Sequence, residues 1–276
     1  SSVTPTENAY GNGTLWGLNN IGVSGGTAGV DVDAASAWDI TTGSRDVIVA
    51  VIDSGIRYTH RDLAAQMWRN PDEIPGNGID DDNDGYVDNL FGVNAISGAA
   101  SPGDPFDDNG HGTHVAGTIG AAANDGAAHV GVAWEVSLMA CKFLDAEGSG
   151  KTSDEIKCID FAIANGAHII NASYGGPGSS QAQRSALERA RDAGILFVAA
   201  AGNEANNNDL NPTFPNSLNL ENIISVAALD RSDNLASFSN FGATTVDLGA
   251  PGVGVFSCWN DSDTGYKTIN GTSMAA

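Results

Sequence analysis

Four short apolar runs constrain this chain more than anything else in it. Asp46–Asp53 (DVIVAVID), Ala167–Gly176 (AHIINASYGG), Gly194–Asn203 (GILFVAAAGN) and Asn222–Asp230 (NIISVAALD) each close on Gly, Asp or Asn. They are continuous rather than alternating, which suits strands buried on both faces, as in a parallel sheet. Helical patterns lie between them. Residues 152–166 place Ile156, Ile159, Phe161 and Ile163 near one stripe, with Gly166 as a stop. Residues 179–194 open on capping serines and end at Gly194. Strand–helix–strand alternation predicts an α/β fold with a mainly parallel central sheet and helices on both faces, a three-layer arrangement. No linker divides residues 1–276, so a single domain is expected, with Asn206–Asn219 as a polar surface loop.

Composition narrows the partners. With 41% hydrophobic residues the chain can bury a core. Its 34 acidic residues against 12 basic give a net charge of −22, which argues against nucleic acid and against an anionic membrane surface. No apolar run approaches the ~20 residues needed to cross a bilayer. The start, SSVTPTENAYGNG, has neither a basic nor an apolar leader region, so an exported protein of this sequence would already have shed its signal. Cys141 and Cys158 could pair or remain buried thiols, and Cys258 has no obvious partner.

In open parallel sheets, reactive groups gather at the carboxyl ends of the strands. Asp53 closes the first run and Asn203 the third. His111 sits between Gly110 and Gly112 at the start of a small-residue helix, and Ser273 lies in the closing stretch INGTSMAA. A serine hydroxyl becomes a nucleophile when an imidazole takes its proton and a buried carboxylate fixes the imidazole. Asp53, His111 and Ser273 supply those groups in chain order. His114, three residues beyond His111, lacks the further ligands a zinc site needs and reads as structural.

These stretches carry a resemblance. VAVIDSGIRYTHRDL, NGHGTHVAGTIG and NGTSMAA resemble the aspartate, histidine and serine motifs of the subtilisin-type serine proteases, the subtilases. INASYGG, AAAGNE and LASFSNFG…LGAPG match intervening segments in order, so the likeness covers nearly the whole chain. It implies a secreted, monomeric serine endopeptidase acting on polypeptides, with a removed propeptide that aids folding and inhibits. It also implies that Asn203 donates to the oxyanion, and that Gly148, Ser149, Gly150 and Ser173, Tyr174, Gly175 clamp an extended peptide. Glu204 would sit at the rim of the specificity pocket, and Phe214–Pro215 would form a cis turn. In the family a long helix follows the serine, so the domain is expected to lack its C-terminal part here. An inert, subtilase-like binding module is the alternative. A serine esterase is disfavoured, since GTSMA does not fit its G-x-S-x-G turn.

Calcium is the expected cofactor. Asp80, Asp82, Asp84, Gly85, Tyr86 and Asp88 occupy positions 1, 3, 5, 6, 7 and 9 of an EF-hand-like loop, although position 12 is Phe91. Dense like charge of this kind repels unless a cation neutralises it. The family resemblance implies a second site through Asp62 and Asn124.

Overall fold

The computed structural model describes residues 3–276. Two short helices, α1 (Asn8–Gly11) and α2 (Ala34–Trp38), precede strand β1 (Gly43–Asp53). There follow β2 (Gly92–Asn94), helix α3 (His111–Gly120), β3 (Glu135–Lys142), α4 (Thr152–Ala164), β4 (Ile169–Ala172), α5 (Gln181–Asp192) and β5 (Leu196–Ala200). The chain continues through β6 (Ile223–Leu229), β7 (Leu248–Pro251), a hairpin of β8 (Val255–Cys258) and β9 (Tyr266–Ile269), and α6 (Thr272–Ala275). The main sheet runs β2-β3-β1-β4-β5-β6-β7, and every neighbouring pair is parallel.

Side chains of the sheet alternate between two cores. Ala50, Ile52, Met139 and Ile170 face Ile159, Phe161 and Leu187 of α4 and α5. Val49, Val51, Leu138 and Ala140 face Val115 and Ala116 of α3 and Met274 of α6. Burial on both faces explains why the strands read as unbroken apolar runs, and the three layers match the expectation. Helix α5 begins where Ser180 accepts a hydrogen bond from Gln183 N at 3.1 Å, and Gly194 leaves it with a φ of 77°.

One expectation changes and one open choice closes. Asn206–Asn219 is not simply a surface loop, because Asn208 and Asn216 are buried. Their side-chain amides, with that of Asn240, donate to the carbonyl of Ala201 at 2.8, 3.3 and 3.1 Å. That carbonyl lies just past β5, and a buried acceptor beyond the ladder must find donors elsewhere. Of the two options for the cysteines, the free one holds: Cys141, Cys158 and Cys258 are all unpaired and buried. The Phe214–Pro215 peptide is cis.

Because the strands are parallel, their carboxyl ends share one edge. Asp53 ends β1 opposite Lys142 of β3, Ser173 follows β4, and Asn203 lies three residues past β5. Helix α6 starts at the same edge.

Candidate active site

Asp53 is fully buried at the end of β1. His111 Nδ1 lies 2.8 and 2.9 Å from its two carboxylate oxygens, so Nδ1–H donates to Asp53 and Nε2 is turned outward as the lone-pair nitrogen. Burial pulls the His111 pKa down, but the Asp53 charge, its hydrogen bond and the charge of Asp107 outweigh it. The net effect holds the imidazole above its ordinary 6.5.

The approach of α3 to β1 depends on Gly112, where a Cβ would lie 2.0 Å from the Gly55 carbonyl oxygen. The orphan N–H groups at the helix start are met by groups the sequence reading missed. Ser54 Oγ accepts from Gly112 N at 2.9 Å and donates to Asp107 Oδ1 at 2.9 Å. Asp107 accepts from Gly110 N, Thr113 N and Thr113 Oγ1 as well. Lys142 Nζ is buried beside Asp53 and donates to the Ser54 and Leu144 carbonyls and to Asp108 at 2.6–2.8 Å. The S-G and D-D-N-G spacings around Asp53 and His111 carried the signal for Ser54 and Asp107, since short polar side chains before a helix are capping candidates.

Ser273 is 8% exposed in the first turn of α6. Its Oγ donates to the Ser173 carbonyl at 3.0 Å, and the Ser173 hydroxyl donates back to the Ser273 carbonyl at 2.7 Å. Among the described residues no hydrogen bond joins His111 to Ser273. Asn203 stands beside them, its Oδ1 accepting from Thr272 N at 2.8 Å and Thr272 Oγ1 at 2.9 Å. Those two donors fix the amide orientation and leave Nδ2 free to donate. The edge of the sheet therefore gathers a carboxylate, an imidazole, a hydroxyl and an outward amide donor from four separate stretches of chain.

The sequence profile of the subtilase family matches residues 44–276. This chain belongs to the subtilase family. It is 38% identical to "Subtilisin-like protease 1" of Plasmodium vivax over 83% of this chain and 38% of that one. It is 37% identical to the "Thermophilic serine proteinase" of Bacillus sp. (strain AK1) over 87% of this chain and 52% of the other. This subtilase thus spans about half or less of the length of these curated relatives. A crystal structure of a cold-adapted subtilisin-like serine proteinase matches its fold with a TM-score of 0.61 and 33% identity, over 83% of this chain and 70% of the other.

The subtilase's other predicted positions fall around this edge. Gly148, Ser149 and Gly150 are exposed in a turn stapled by Asp145, whose N–H donates to the Ser149 carbonyl at 2.8 Å. Ser173 is buried, Tyr174 half-buried and Gly175 exposed. Glu204 is exposed next to Asn203, its carboxylate held by Asn240 Nδ2 at 2.7 Å. His114 is buried with Nε2–H shared between the Val255 and Lys267 carbonyls, and burial lowers its pKa to about 4. It stays neutral and structural, as expected.

Two groups of acids could hold a cation, and each contains a residue the sequence reading passed over. In the acidic loop, Asp80 and Asp82 come together with Glu73, one oxygen from each lying within 4.8 Å of the others. Glu73 is buried and its Oε2 has no hydrogen-bond partner among the described residues. Asp88 departs from the expected convergence. Its carboxylate accepts from Gly76, Asn77 and Gly78 N, so it braces the preceding turn. Asp84 accepts from Tyr86 N and Asn89 Nδ2, and it too lies outside the three-carboxylate group. At the second site, Asp62 is fully buried; its Oδ1 has no hydrogen-bond partner among the described residues and lies 3.8 Å from Arg61 Nε. Burial, offset in part by Tyr266, leaves its pKa at about 6, with the charges of Asp125 and Glu7 adding to the rise. Glu7, buried too, accepts from Asn124 N through Oε1, and its Oε2 has no hydrogen-bond partner among the described residues. Orphaned carboxylate oxygens facing one another's charge fit a hard cation. His60, Asp62 and Cys258 also lie together, but both ring nitrogens of His60 are engaged, Nδ1 by Asp62 N and Nε2 by the Gly265 carbonyl.

Proposed function

We propose that this subtilase is a secreted serine endopeptidase that cleaves polypeptides through an acyl-enzyme. The observation that carries the reading is the two-oxygen grip of Asp53 on His111 Nδ1. It leaves Nε2 as the base for a serine nucleophile, and Ser273 at the same edge is the candidate. To react, Ser273 Oγ turns from the Ser173 carbonyl toward His111 Nε2. It gives up its proton there as it bonds the substrate carbonyl carbon. The oxyanion forms between Asn203 Nδ2 and the N–H of Ser273, donors whose positions are fixed before reaction begins. His111 then returns the proton to the leaving amine, and water repeats the sequence on the ester. Segments Gly148–Gly150 and Ser173–Gly175 would pair with the substrate main chain, a mode tolerant of many side chains, with Glu204 at the pocket rim.

Calcium would be held by Glu73, Asp80 and Asp82, and by Glu7, Asp62 and Asn124; when bound it supplies charge neutralisation and stability, not chemistry. An open apolar groove of about 400 Å³ runs beside α6, lined by Leu15, Trp16, Val49, Ile119, Val136 and Met274. We propose that the single peptidase domain continues past Ala276 as an extension of α6 into this groove, and that a propeptide aids folding. Intact mass of the purified protein tests the continuation. The catalytic reading is tested by a fluorophosphonate probe and casein cleavage. Labelling and cleavage lost together in Ser273→Ala are expected; casein binding without labelling would favour the inert module, which draws on the Ser273–Ser173 bond.

A further inference from the structure

Glu155, in the first turn of α4, is 2% exposed and belongs neither to the catalytic edge nor to the acidic clusters. Its carboxylate joins two other elements. Oε1 accepts from the Tyr174 hydroxyl at 3.0 Å, and Oε2 accepts from Gln183 Nε2, on α5, at 2.8 Å. No cation pairs with it among the described residues, for Lys157 on the same helix is committed to Asp154 at 2.8 Å. An acid in such a place is costly, and an apolar side chain of the same size would fill the space more cheaply. What it holds is therefore informative.

Tyr174 is the middle residue of the segment Ser173–Gly175. Its ring packs edge-on against Phe143 with centroids 4.6 Å apart. Phe143 in turn lies under the other segment: a Cβ added at Gly150 would meet its ring at 2.7 Å. The two segments are thus joined from below by one aromatic pair, and the Glu155 carboxylate ties that pair to the helix. The carbonyl of Ser173, next to Tyr174, holds the Ser273 hydroxyl at 3.0 Å.

We propose that Glu155 is a positioning residue for peptide cleavage: by anchoring the Tyr174 hydroxyl it sets the gap between Gly148–Gly150 and Ser173–Gly175 into which an extended substrate fits. The proposal rests on the endopeptidase reading and names the part of that site that measures substrate length. Glu155 touches no reacting atom, so its loss weakens the grip on long peptides and spares the acyl chemistry.

The test compares Glu155→Leu, Tyr174→Phe, their double variant and Glu155→Gln in the otherwise complete protein. Cleavage is followed on a peptide of six or more residues and on a single-residue ester, and amide exchange is followed over residues 173–176. Loss of a buried hydrogen bond predicts that Glu155→Leu raises KM for the long peptide about tenfold, with kcat and ester cleavage within about twofold. Tyr174→Phe should add little to Glu155→Leu, since both break one link. Glu155→Gln can accept from Tyr174 and, once the Gln183 amide flips, donate to Gln183 Oε1, which has no hydrogen-bond partner among the described residues; it should restore most of the KM. Exchange over 173–176 should quicken in the Leu variant and not in the Gln variant. Equal loss on ester and peptide, additive single effects or unchanged exchange would each overturn the proposal. A wild type that cleaves neither substrate would instead refute the endopeptidase reading, while the exchange measurement still decides the anchor.

Discussion

The two halves of the catalytic edge are built from different materials. The half formed by β1, β3 and α3 is charged: Asp53 bonds His111, Ser54 bonds Asp107, and Lys142 bonds the Ser54 carbonyl, across 53 to 88 residues of chain. The half formed by β4, β5 and α6 is neutral. There Ser173, Asn203, Thr272 and Ser273 meet through hydroxyls and amides drawn from stretches as much as 100 residues apart. On the proposed mechanism, charge fixes the His111 base in its tautomer before any substrate arrives, whereas the neutral half keeps a hydroxyl that must turn before it can act. Apo geometry of that kind is common and tightens with substrate.

The largest expected effect tests the charged half. Asp53→Asn should lower kcat/KM by about 10⁴-fold, through the wrong imidazole tautomer, with the fold intact by circular dichroism. A loss under tenfold would mean that the two halves do not cooperate in a serine mechanism. Next, Asn203→Ala should cost about 10²–10³ in kcat with KM nearly unchanged, the cost of losing one such donor in a subtilisin. The third prediction separates the halves by pH. The base works unprotonated and its pKa is held above 6.5, so kcat/KM should fall tenfold per unit as pH drops through a midpoint above 6.5. Asn203→Ala should leave that midpoint in place, because no charge is removed; a shifted midpoint would show the halves electrostatically coupled. The smallest effect concerns the two acidic clusters. Removing a tightly bound cation with EDTA should lower Tm by roughly 5–10 °C while kcat measured promptly at 25 °C holds. An unchanged Tm would remove calcium from both clusters.

Legibility in the sequence divides differently. Asp53, His111, Asn203 and Ser273 stood out in both halves because each sits in a short distinctive stretch, Asp53 closing an apolar run and His111 between glycines, whereas Ser54, Asp107 and Lys142 of the charged half did not. The sheet's outer parts did not stand out either. Strand β3 carries Ser137 and ends on Lys142, so it lacks the clean run of its neighbours, and β7 holds Gly249 and Pro251, which a sheet edge tolerates. Glu7, Glu73 and Glu155 were passed over for one reason. An acid looks like any solvated acid in one dimension, and only burial among distant partners gives it a task. The Asn208 and Asn240 amides were hidden likewise, since a polar loop and a folded scaffold have the same composition.

The Ala201 carbonyl, with its three amide donors, has a consequence for engineering. Surface loops are ordinarily where a chain tolerates insertion best, yet a residue added between Asn207 and Asn216 would pull on the knot that seats the strand end leading to Asn203. Catalytic rate in such a variant should respond to loop length before melting temperature does.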